Sequence, residues 1–111
     1  MLWKRSQKQL RIGYVIASKM VSQDRRPVRF MYREQPDNDQ DSGWRLFSGF
    51  EDDDYANDPD HLSINDPETI CQIDPDIRKH LSAPIGSAFE RIDPNRSFVK
   101  SDWTPPEEQH D

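Results

Sequence analysis

One cysteine, Cys71, stands alone among 111 residues, so no intramolecular disulfide can form. Small secreted domains usually need several bridges to compensate for a thin core, so this chain fits a reducing, cytoplasmic compartment. Apolar residues are scarce, at 32%. The uninterrupted apolar run behind the basic N-terminus reaches only from Tyr14 to Ala17. That is far short of a signal-peptide core of roughly 7 to 15 residues or a membrane span of roughly 20. Neither export nor membrane insertion is expected. The four glycines are isolated at 13, 43, 49 and 86, which excludes a glycine-rich phosphate loop. His61, His80 and His110 have no partner at metal-ligand or triad spacing, and Cys71 has no activating base nearby in sequence. No catalytic residue, metal or cofactor is therefore assigned.

What the chain holds in quantity is charge, unevenly placed. Residues 1 to 33 carry nine bases against one acid, a charge of +8, and residues 34 to 76 carry one base, Arg45, against fourteen acids, a charge of −13. Such polarity suits a basic arm on nucleic acid, an acidic face meeting a basic partner, or two halves that neutralise each other. Lys4, Arg5, Lys8 and Arg11, then Arg25, Arg26, Arg29 and Arg33, have little aromatic interleaving, and the whole chain is at −6. Nucleic acid is accordingly not expected as a partner, and solvated strand edges are the simpler account of these bases.

The length suits one domain. A flexible basic leader over 1–9, a single domain over 10–103 and a disordered tail over 104–111 are expected. Ile12 to Ala17 reads as a buried strand; Val28 to Arg33 alternates as a second, with SQDRRP a turn between them. A polar loop, EQPDNDQDSG, leads into a strand from Trp44 to Phe47, with Trp44 and Leu46 on one face and Phe47 on the other, ending at Ser48-Gly49. Asp58-Pro59, Asp66-Pro67 and Asp74-Pro75 each suit a helix start, aspartate as N-cap and proline at the first helical position. The last predicts a helix through about Leu81, stopped by Pro84. TICQI reads as a short helix or a strand. Ser87 to Ile92 and Ser97 to Trp103 return as strands. The fold class is α+β: a small, mostly antiparallel sheet with one or two short helices packed against it.

The stretch after the third strand carries the most chemistry. Glu51, Asp52, Asp53 and Asp54 begin a calcium-loop spacing that Ala56 and Asn57 break, and Asp58 and Asp60 fail at Leu62. EDDDYA suits the start of a short helix, where carboxylates gain a few tenths of a kcal/mol each. An acidic patch offered to a basic partner is compatible with that. Phe50 and Tyr55 border it, and Phe50, after a turn glycine, is a candidate interface anchor. Arg45 either binds an anion or, as half-buried guanidinium groups more often do, pairs with a nearby carboxylate.

Read together, VRFMYREQPDNDQDSGWRLFSGFEDDDY, IDPDIRKHL and SAPIGSAFERI resemble the immunity protein 33 family of bacteria, over roughly residues 14 to 92. The elements that carry the resemblance are Tyr32, Arg33, Glu34, Asp41, Gly43, Trp44, Arg45, Gly49, Gly86, Phe89, Glu90 and Arg91, as structural or binding positions. Where the family pattern has an acid after Ser-Gly, this chain has Phe50. The resemblance implies an antidote from polymorphic toxin loci that neutralises a cognate toxin protein, and the residues themselves lead us to expect a non-enzymatic inhibitor, a monomer or weak dimer. Its acidic, aromatic-rimmed surface, formed by Phe50, Glu51, Asp52, Asp53, Asp54, Tyr55, Asp58 and Asp60, would occlude the toxin's active site, and a basic toxin would complement it. A general interaction module and a small metal-dependent enzyme using Glu51, Asp52 and Asp54 are the competing expectations.

Overall fold

The computed structural model describes residues 10–103. The expected leader and tail, with Lys4, Arg5, Lys8 and His110, lie outside the described residues. Six strands form one sheet: β1 (Tyr14–Ser18), β2 (Phe30–Arg33), β3 (Asp41–Phe47), β4 (Leu62–Asn65), β5 (Ala88–Glu90) and β6 (Val99–Lys100), in the spatial order β4-β1-β3-β2-β5-β6. The pair β1/β3 is parallel and the other four pairings are antiparallel. With helices α1 (Lys19–Ser22), α2 (Asp53–Ala56) and α3 (Pro67–Ile73), this is an α+β domain.

Alternation along the strands sorts side chains onto two faces. Val15, Ala17, Met31, Trp44, Leu46 and Phe89 point to one face and are buried there against Val21 of α1, Ile70 and Cys71 of α3, and Ile77 and Leu81. The Trp44 indole N–H is satisfied within this core by the Leu81 carbonyl, at 3.0 Å, as a buried polar group must be. The opposite face carries Ile16, Phe30, Tyr32, Arg45 and Phe47, and among the described residues no long helix covers it.

Local chemistry explains the helix starts. Asp58, Asp66 and Asp74 each accept a backbone N–H two residues on, from Asp60, Glu68 and Asp76, and each is followed by proline. TICQI is helical, within α3. After Asp74 the backbone forms the expected helix, Pro75–His80 with Leu81 as its C-cap, but of 3-10 type, its bonds closing onto the residue three back, Leu81 N–H reaching Arg78 O at 3.2 Å. SQDRRP begins inside a short helix rather than a simple turn: Ser18 caps Met20 N–H and α1 runs to Ser22.

Strand β4 had no counterpart in the expected element order. Its alternation is inverted: Ser63, which pairs with Ala17, turns a hydroxyl inward to Ser22 Oγ at 2.8 Å, while Ile64 faces outward and is 66% exposed. An edge strand of that kind carries no apolar period to read.

Arg91 ties the core to the 3-10 helix. Its Nε donates to Val28 O at 2.9 Å, Nη1 to Asp76 at 3.0 Å, and Nη2 pairs with the buried Asp74 carboxylate, while the guanidinium lies 4.2 Å above the Phe98 ring centroid. Asp74 also accepts the Val28 N–H at 2.9 Å, so one carboxylate fixes the entry to β2 and caps the 3-10 helix.

Candidate functional site

The uncovered sheet face is organised by an irregularity in β3. Tyr14 and Ile16 of β1 stand opposite Asp41 and Arg45 of β3, so two steps on one strand span four on the other. The slack is taken up at Gly43, whose φ is +92°. A Cβ there would fall 2.2 Å from the Glu34 carbonyl oxygen, so only glycine fits. Gly43 N–H donates to Asp41 Oδ1 at 2.8 Å, and Glu34 N–H donates to Gly43 O at 2.9 Å. The bulge draws Asp41 back to Arg45. Both Asp41 oxygens accept from the guanidinium, at 2.9 and 2.8 Å, and Glu34 accepts from Nε at 2.6 Å.

Arg45 is only 4% exposed and Asp41 5%. Burial opposes the ionisation of Asp41, but hydrogen bonds from Arg45 and from the Asp37 and Gly43 N–H groups hold it down to about 2. The neighbouring Tyr32 is pushed up to about 12, first by burial and then by the Glu34 charge, so its phenol is neutral at physiological pH. The motif residues around Gly43 are thus a structural clamp. Arg33 joins it by donating to Ser42 O and Ala83 O, both at 2.8 Å, and Gly86 N–H donates back to Arg33 O at 2.8 Å.

Beside the clamp lies a cluster of four aromatic rings. Tyr32 and Phe47 stack with centroids 6.1 Å apart, Trp103 lies 4.0 Å from Tyr32, and Trp103 meets Phe30 edge-on at 5.5 Å. All four are half-buried. Between this cluster and α2 is a shallow pocket of about 390 Å³, lined by Phe30, Tyr32, Phe47, Trp103, Glu51, Asp52, Asp53, Ala56 and Asn57 together with Gly49. Among the described residues no basic side chain lines it.

The acids divide by role. Glu51 folds back to accept from Ser48 N–H, Ser48 Oγ and Gly49 N–H at 2.8–2.9 Å, closing the turn after β3. Burial acts to raise its pKa, but hydrogen bonds from Ser18 and Ser48 outweigh it and keep Glu51 below the ordinary glutamate value. Asp52 caps α2 through Tyr55 N–H at 2.8 Å. Asp53, Asp54 and Asp60 are exposed. Tyr55 stacks on His61 at 4.0 Å, and His61 stands 3.9 Å from Asp58. Among the described residues, no carboxylate between 51 and 60 pairs with an arginine. Phe50 is 59% exposed, beneath Arg26 at 4.7 Å and Arg29 at 5.7 Å, and does not line the pocket.

Phe30, Phe47 and Trp103 were not among the site residues expected from sequence. Phe47 stands on the opposite face from Trp44 and Leu46, and its alternation with them was the available signal; Trp103 reaches the site only through the return of the chain past β6. Cys71 and His80 are packed away from the pocket: burial pushes the Cys71 thiol up to about 11, and burial also lowers the His80 pKa beside Phe89. Among the described residues no three His, Cys, Asp or Glu side chains are grouped as metal ligands would be, and no helix is long and apolar enough to cross a membrane.

The described residues thus form an α+β domain with one packed sheet face and one half-buried, aromatic face edged with acids. Its sequence matches the model of the Immunity protein Imm33 domain over residues 15–102, and the chain belongs to that family of immunity proteins. Membership implies a toxin protein as partner. No curated protein and no solved structure matches the chain.

Proposed function

We propose that this protein neutralises its cognate toxin without catalysis, by docking the aromatic pocket and its acidic rim over the toxin's active site or substrate groove. The observation that carries this reading is the pocket itself. It joins Phe30, Tyr32, Phe47 and Trp103 to Glu51, Asp52 and Asp53, and Asp54 and Asp60 are exposed and, among the described residues, without a basic partner. A docking surface gains affinity from a few desolvated aromatics and gains encounter rate and selectivity from complementary charge. The clamp of Glu34, Asp41 and Arg45 stiffens the strands that present the rings, which lowers the ordering cost of binding. Phe50 and its two arginines form a neighbouring site of opposite charge, suited to the edge of a larger interface. The purified protein mixed with the toxin encoded beside it should form a stable complex and stop the toxin's reaction at about equimolar ratio. A toxin that remains fully active, with no complex formed, would refute the reading.

A further inference from the structure

We infer that the pocket between the aromatic cluster and α2 receives a basic side chain, arginine before lysine, projected by the toxin. This rests on the docking reading above and specifies the chemistry of its anchor. The walls and the rim make opposite demands on an occupant. Four ring faces and edges favour apolar or cationic groups. Glu51, Asp52 and Asp53 reject an anion, and a neutral apolar plug would strip water from the exposed carboxylates of Asp52 and Asp53 and return nothing, Glu51 being already held by Ser48 and Gly49. Only a group with an apolar stem and a cationic head satisfies both.

On the clamp side of the pocket the field has the same sign, while Arg26 and Arg29 lie beyond Gly49 on the other. In the clamp beside Tyr32 one guanidinium faces two carboxylates, Glu34 and Asp41, and Glu90 stands opposite Phe30 across the β2/β5 pairing. Among the described residues, no arginine, lysine or histidine lines the pocket, so none of them supplies it with a complementary charge. Arginine is favoured over lysine because its flat, weakly hydrated guanidinium stacks on rings such as Trp103 and Phe47 while its N–H groups fork to carboxylates.

The test has two arms. In the first, N-acetyl-arginine amide is titrated into the full chain while the Trp103 indole and Phe47 ring signals are followed by NMR, with N-acetyl-norleucine amide as the neutral control. Saturable shifts confined to these rings are expected for the arginine probe and not for the control. Asp53→Asn and Trp103→Leu should each weaken them several-fold. Asp53 is exposed, so Asp53→Asn tests the charge without disturbing packing. Equal response to the neutral probe, or no saturable response, overturns the inference.

In the second arm the same variants are measured against the toxin, with a loss of about tenfold or more expected for each. If the wild type binds the toxin and both variants bind it equally well, the pocket inference falls while the docking reading stands. If the wild type does not bind the toxin, the docking reading falls, and the probe titration alone decides what the pocket accepts.

Discussion

Asp41 and Arg45 are separated by three residues on one strand and yet meet in a two-pronged ion pair, at 2.8 and 2.9 Å. An extended strand rises about 3.3 Å per residue, which would leave their backbones about 13 Å apart. The bulge at Gly43 removes much of that separation. Gly43→Ala should therefore cost about 2–4 kcal/mol, from the positive φ and from the carbonyl oxygen of Glu34 in the way of the new methyl. Urea unfolding would measure it; a loss below about 1 kcal/mol would mean that the strand relaxes without the bulge.

Arg45 lies between two carboxylates in a nearly water-free site, so its removal strands buried charge. Arg45→Met should cost about 3–5 kcal/mol. Arg45→Lys should recover only part of that, since an ammonium cannot reproduce the fork to Asp41 and the contact to Glu34 together. Thermal melts of both variants would check the order.

Acid sensitivity follows from the same group. The folded-state pKa of Asp41, about 2, lies below its ordinary 3.8. Its stabilisation is thus fully present above about pH 4 and is lost as pH falls toward 2, amounting to about 2 kcal/mol. Glu51 shifts in the same direction and adds to the slope. Unfolding free energy measured from pH 6 to pH 2 should fall more steeply for the wild type than for Asp41→Asn.

The single thiol offers a probe of global opening. Burial pushes Cys71 up to about 11 and leaves it 3% exposed, so little thiolate forms at neutral pH and reagent has no access. A disulfide reagent should react only as fast as the α3 region opens, and mild urea should accelerate it. Immediate reaction in native buffer would show that the contact between α3 and the sheet is loose.

How much of this was legible in the sequence varied with how local the physics is. The three Asp-Pro helix starts are written in adjacent residues, because cap and proline act within one turn. The opposite facing of Leu46 and Phe47 follows from strand alternation alone. The Arg45 clamp was half legible: a lone base among acids demands a carboxylate, but Asp41 qualifies only through a bulge that residue types do not announce. β4 was hidden because its inward positions are Ser63 and Asn65. The aromatic pocket was hidden because Trp103 reaches Tyr32 through the tertiary path of the chain, and because Phe30 and Phe47 look like core until the other face of the sheet is seen to be filled by Trp44, Leu46 and Met31.

Phe50 separates stability from binding. Phe50 and Arg26 are exposed, and Arg29 is half-buried, so Phe50→Ala should change stability by less than about 1 kcal/mol. A larger loss in a thermal melt would show that the turn after β3 depends on the ring.

The most direct measurement is survival of cells producing the cognate toxin together with this protein or with its Asp53→Lys/Asp54→Lys variant, whose substitutions lie at exposed positions of α2 and whose melting temperature should stay within a few degrees of the wild type. The docking account predicts rescue by the wild type and death with the variant. Equal rescue by both would show that the acidic rim takes no part in neutralisation, and death with both would show that this protein is not the toxin's antidote.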